Sequence, residues 1–107
     1  MTKVKVEPGI CGLTAVITAD SEDGMEAEVH VETRCKMIRE MADGLGETLN
    51  AYELLMPSPG QERCLPAITA KYPTHASCPV LAGLLKCVEA ECGLALKKDA
   101  SITFIED

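Results

Sequence analysis

The chain has 107 residues, 47% hydrophobic and 25% charged, which is the size and balance of one soluble domain able to bury a core without disulfide staples. Its formal charge of −7 repels phosphate backbones and anionic bilayers, so neither nucleic-acid binding through a basic footprint nor docking on a membrane surface is expected. With no Trp, one Phe and two Tyr, the core must be aliphatic, and there is no stacking platform for bases or sugars.

No apolar run reaches the roughly 18 residues of a membrane-spanning helix. The opening Met1-Thr2-Lys3-Val4-Lys5-Val6-Glu7-Pro8 lacks the apolar stretch of a signal peptide. Both features predict a cytoplasmic protein. In that reducing setting the six cysteines, Cys11, Cys35, Cys64, Cys78, Cys87 and Cys92, read as metal ligands, reactive thiols or buried side chains rather than disulfides.

In chain order, Val4 and Val6 alternate with Lys3, Lys5 and Glu7, a short strand stopped by Pro8-Gly9. A second strand is predicted over 13–20, followed by a turn at 20–24 in which Gly24 takes positive φ. Met25, Ala27, Val29 and Val31 then alternate with Glu26, Glu28, His30 and Glu32, the clearest period-two pattern in the chain. Helical spacing begins after Thr33, the expected N-cap, with Met37, Ile38, Met41, Ala42 and Leu45 on one face and Gly44 or Gly46 as the stop. Residues 52–56 form a helical turn that Pro57 ends, and 57–60 is the clearest loop. Another short helix spans 65–72. The best helix runs over 79–92, with Pro79 at its first position, a stripe of Leu81, Leu84, Leu85 and Val88, and Gly93 just beyond its end. Residues 101–106, with Ile102 and Phe104 facing one way, read as a closing strand. The whole is a single α+β domain over 1–107: two layers, a small mainly antiparallel sheet with helices on one face.

Pairing Ala19 with Met25 across the turn sets Leu13 opposite Val31 and Cys11 opposite Thr33, with Cys35 two residues further on. Adjacent strands are roughly 5 Å apart, so both thiols belong to the open end of one hairpin, and the odd-numbered parity turns Cys11 toward the helices. Cys35 and Cys78 each precede a predicted helix, and Cys78 sits directly before Pro79. Unpaired N–H groups and the helix dipole favour negative charge there, and the thiolate is the form that binds metal. His75 lies three residues before Cys78. Three thiolates and an imidazole satisfy a tetrahedral zinc site or ligate an iron–sulfur cluster.

The order of these cysteines resembles the iron–sulfur scaffold family, the IscU/NifU-like fold, over about residues 11–95. Cys11-Gly12 opens a hairpin, Cys35 follows it before a helix, and His75-Ala76-Ser77-Cys78-Pro79-Val80-Leu81-Ala82 corresponds to the stretch that opens the last long helix. The resemblance implies an IscU/NifU-like fold, Cys11, Cys35 and Cys78 as zinc or cluster ligands, and a partner such as a cysteine desulfurase; the chain departs from it by an extra strand at each end. Leu13 stands where scaffolds carry an aspartate, Ser77 rather than a histidine directly precedes Cys78, and the Leu-Pro-Pro-Val-Lys chaperone segment is absent. The chain is also similar to a group of short uncharacterised proteins of anaerobic bacteria. That similarity lies in Gly9-Ile10-Cys11-Gly12, Asp23-Gly24-Met25, His75-Ala76-Ser77-Cys78-Pro79 and Gly93-Leu94-Ala95-Leu96-Lys97-Lys98-Asp99.

Among the remaining candidates, Cys87 and Cys92 read as small buried hydrophobes. Cys64 competes with His75 as a fourth ligand. His30 and the glutamates around it read as a solvated face. No phosphate loop and no Ser-His-Asp arrangement can be assembled. The expectation is a metal- or cluster-binding protein with ligands Cys11, Cys35, Cys78 and His75, rather than an enzyme. The alternatives are a structural-zinc domain acting through protein contacts, or a thiol-based redox or sulfur-handling protein.

Overall fold

Period-two hydrophobicity becomes sheet here wherever one face has helices to pack against. The computed structural model describes residues 1–56 and 58–106. Strands β1 (Thr2–Val6), β2 (Ala15–Asp20), β3 (Glu26–Thr33) and β4 (Thr48–Asn50) form one antiparallel sheet in that order. Helix α1 (Lys36–Leu45) follows β3, α2 (Ala51–Leu55) follows β4, and α3 (Leu65–Lys71) and α4 (Pro79–Glu91) come last. Ala15, Ile17, Ala19, Ala27 and Val29 point to one face and are buried with Ile38, Met41 and Leu45 of α1 and Val80, Leu84, Cys87 and Val88 of α4. The fold is therefore α+β, with a four-stranded antiparallel sheet packed on its apolar side. The other face carries Lys3, Lys5, Glu28, His30 and Glu32, all exposed, as the alternation predicts.

Helix ends follow local chemistry. Asn50 caps α2, its side chain accepting from the N–H groups of Tyr52 and Glu53. At the end of α4, Leu94 N–H bonds the Glu89 carbonyl and Gly93 N–H bonds Ala90, a Schellman motif that requires the positive φ of 75° at Gly93. At α1 the cap is Cys35 rather than Thr33, whose hydroxyl oxygen instead accepts from Cys35 N–H at 3.1 Å. Gly46, not Gly44, closes that helix.

Three expectations are corrected. First, Ala19 pairs with Val29, not Met25. The turn is longer than a tight hairpin because Asp23 accepts from the N–H groups of Met25 and Glu26 while the Ser21 hydroxyl donates to the Glu26 carbonyl. Second, the fourth strand is β4, which pairs with residues 26–28 of β3. Third, residues 101–106 form no strand and are exposed throughout, so the sheet is not closed by the chain's last segment. The expected loop at 57–60 begins at Pro57, which lies outside the described residues, as does Asp107.

Thr2 is the buried polar side chain that ties β1 to the end of α4. Its hydroxyl donates to Glu91 Oε1 at 2.7 Å, and Ser21 N–H donates to Glu91 Oε2 at 2.9 Å. These two bonds, the Thr2 bond foremost, hold the Glu91 carboxyl below the ordinary glutamate range. The depressed value means the stabilisation is present above the unfolded-state pKa of about 4.3 and is lost as pH falls through the folded-state value. Glu91→Gln will lower stability by about 1–2 kcal/mol at pH 7. Thermal melts should show this gap to the parent narrowing in strong acid, and a gap independent of pH would contradict the account.

Candidate metal centre

The direction of α4 decides where Cys78 lies. A Cβ built on Gly83 would fall 2.4 Å from Val6 Cγ2, at the end of β1, while Glu91 bonds Thr2 at its start. Helix α4 therefore runs antiparallel to β1, and its N-terminus stands at the sheet end formed by Val6, Ala15 and Thr33, which are aligned across the ladder. Cys35 follows Thr33 at that same end, and Cys11 lies in the connection between Val6 and Ala15. Three of the six thiols thus share one end of the domain, where α1 and α4 both begin.

Each is held differently. Cys11 is exposed in a turn closed by Gly12 N–H bonding the Gly9 carbonyl at 3.0 Å, with φ of 101° at Gly9 and 68° at Gly12. This corrects the expected inward orientation: β2 begins at Ala15, so the strand alternation does not extend to Cys11. Cys35 and Cys78 are the N-caps of α1 and α4, half-buried against the core, and neither side chain makes a capping hydrogen bond. Cys78 N–H donates to the His75 carbonyl at 3.0 Å, a turn that leaves the His75 side chain exposed. An open depression lined by Gly12, Leu13, Thr14, Thr33 and Arg34 lies between the Cys11 turn and the start of α1. Arg34 brings a positive charge beside Cys35, a feature the sequence reading passed over because no spacing rule marks it.

The other thiols are elsewhere. Cys87 is fully buried between α4 and the sheet, its Sγ donating to the carbonyls of Thr2 at 3.4 Å and Ile17 at 3.5 Å, and burial pushes its pKa up to about 11. Burial likewise raises that of Cys92. Both behave as the apolar side chains they were expected to be. Cys64 caps α3, is 4% exposed and rests 3.5 Å from the Gln61 carbonyl. His30 is exposed on the polar face.

The donor types fit zinc or an iron–sulfur cluster, being three thiols and an imidazole at one end of the fold. Among the described residues, no group of three or more His, Cys, Asp or Glu side chains stands close enough to hold a metal. The convergence is therefore one of fold position, not of an assembled coordination shell.

A sequence family matches residues 2–104, which takes in every strand and helix. The chain belongs to DUF6951, a family of unknown function. No curated protein matches the DUF6951 chain, and no solved structure does. No helix among its described residues is long and apolar enough to cross a membrane.

Proposed function

We propose that the DUF6951 chain binds a metal ion or iron–sulfur cluster through Cys11, Cys35 and Cys78, with His75 as the fourth donor, in the manner of an IscU/NifU-like scaffold. The observation that carries this reading is the shared position of the three thiols at the sheet end where α1 and α4 begin. Cys35 and Cys78 are fixed by helix starts packed on the core, and the N–H groups of those first turns, with Arg34, offset the charge of bound thiolates. Cys11 is the exposed donor. Its turn is bracketed by two positive-φ glycines, and a Cβ at either would meet nothing within 4 Å, so no packed side chain surrounds the turn at those two positions. Bound zinc would supply a structural tie, and a bound cluster would supply sulfide and electrons. Leu13 lines the depression beside Cys11 and offers no carboxylate, which favours retention over release. A cysteine desulfurase is the sulfur donor such a cluster would require.

Anaerobic purification followed by metal analysis and an absorption spectrum tests the reading. The expected result is one metal or cluster per chain, brown if iron–sulfur and colourless if zinc. Cys11→Ser, Cys35→Ser and Cys78→Ser should each reduce binding by roughly tenfold or more, as loss of a ligand does. Cys87→Ser should retain the parent's content. Equal metal content in all four variants, or none in the parent, sinks the proposed site. A metal-free parent in which one thiol is rapidly alkylated would point to thiol chemistry instead.

A further inference from the structure

Residues 93–106 are exposed without exception, yet they carry Leu96, Ile102, Phe104 and Ile105, which are 91%, 88%, 101% and 86% accessible. Large apolar side chains concentrated in one exposed segment mark a surface that something covers. The segment reads as strand, with Ile102 and Phe104 alternating with Ser101 and Thr103, but among the described residues it pairs with no strand. The same chain presents an unused ladder. Among the described residues β1 is an outer strand of the sheet, paired with β2 alone. The opposite edge, β4, is three residues long, and its Thr48 carbonyl already accepts from Arg63 Nη2 at 3.3 Å.

We propose that residues 101–106 form an arm that adds a strand to the outer edge of β1 in a second copy of this chain, reciprocally, giving a twofold dimer. An unpaired strand and an unpaired edge on one molecule are self-complementary, the condition for a closed symmetric pair. Charge permits the same occupant. Lys3 and Lys5 are exposed along β1, where lysines normally discourage indiscriminate edge pairing, and the arm itself carries no lysine or arginine to repel them. Side-chain parity agrees: Val4 and Val6 are half-buried on the helix side, and Ile102 and Phe104 would extend that apolar row. Docking a six-residue strand on an open edge buries roughly 50–80 Å² per arm residue. With the receiving surface and both arms counted, the interface reaches on the order of 1,000–1,900 Å², within the range of stable dimers. This proposal is independent of the metal reading, because the arm leaves from the end of α4 opposite to Cys78.

The test is sedimentation of the full chain under reductant, which prevents disulfide-linked pairs, together with an isotope-filtered NOE experiment on a mixture of labelled and unlabelled protein. The parent is expected to sediment as a dimer and to show intermolecular NOEs between the Phe104 ring and the methyls of Val4 and Val6. The double substitution Ile102→Asp and Phe104→Asp lies outside the core, so its far-UV circular dichroism should match the parent's folded state while its dimer dissociation constant rises roughly a hundredfold or more. A monomeric parent, a double variant that dimerises like the parent, or NOEs that are purely intramolecular would each overturn the proposal.

Discussion

Ile17→Ala lowers the stability of the domain by about 2–5 kcal/mol, the usual loss for a large-to-small change in a closed core. Ile17 is 0% exposed at the centre of β2, between Val4 of β1 and Val31 of β3, and its Cδ1 lies under α4 beside Gly83. Truncation opens a cavity that two strands and a helix would have to shift together to fill. For a domain of this size the melting temperature should fall by at least about 10 °C. Val16→Ala, one residue away on the half-exposed polar face, is the control and should cost about 1 kcal/mol or less. Thermal denaturation of the two variants under reductant separates them, and equal losses would mean that the buried face of β2 has been assigned to the wrong side.

Gly83→Val has the second largest effect, and it acts by crowding. Helix α4 approaches β1 so closely that even a Cβ at this position would fall 2.4 Å from Val6 Cγ2 and 3.4 Å from Ile17 Cδ1. Valine gains roughly 0.3–0.5 kcal/mol over glycine in helix preference. Against that, forcing apart a packed helix and strand costs about 1–3 kcal/mol, so the net effect is destabilising. Val6→Ala in the same molecule should return part of the loss, since it removes the atom nearest the clash. Measured in a double-mutant cycle, the two changes should be non-additive. Strict additivity would show that the helix does not seat on Val6.

Much of the architecture was legible because the chain repeats its signals. The alternation of Ala27, Val29 and Val31 against Glu28, His30 and Glu32 marks β3 unambiguously, and Gly93 marks the end of α4. The hairpin register was not legible, because it depends on Asp23 and Ser21 bonding backbone groups across the turn, a competition that periodicity does not report. β4 escaped notice since three residues with a single buried Leu49 carry no period. At 101–106 the opposite holds: the pattern is strand-like, but among the described residues nothing pairs with it. At the candidate site, the placement of Cys35 and Cys78 at helix starts was readable from capping rules and Pro79. That Cys78 shares an end with Cys35 depends on the direction of α4, which only tertiary contacts fix.

The bond between Thr2 and Glu91 also bears on how the molecule comes together. Its partners are 89 positions apart, and it joins the first strand to the last helix. The β2–β3 hairpin and α1 can organise from local contacts, but the buried side of β1 stays uncovered until α4 arrives. Closing so long a loop costs more chain entropy than forming the hairpins, so the docking of α4 on β1 is expected to follow them. In the interval the face of β1 that carries Val4 and Val6 has no helix over it, and this is the stage at which the chain is most exposed to misassociation.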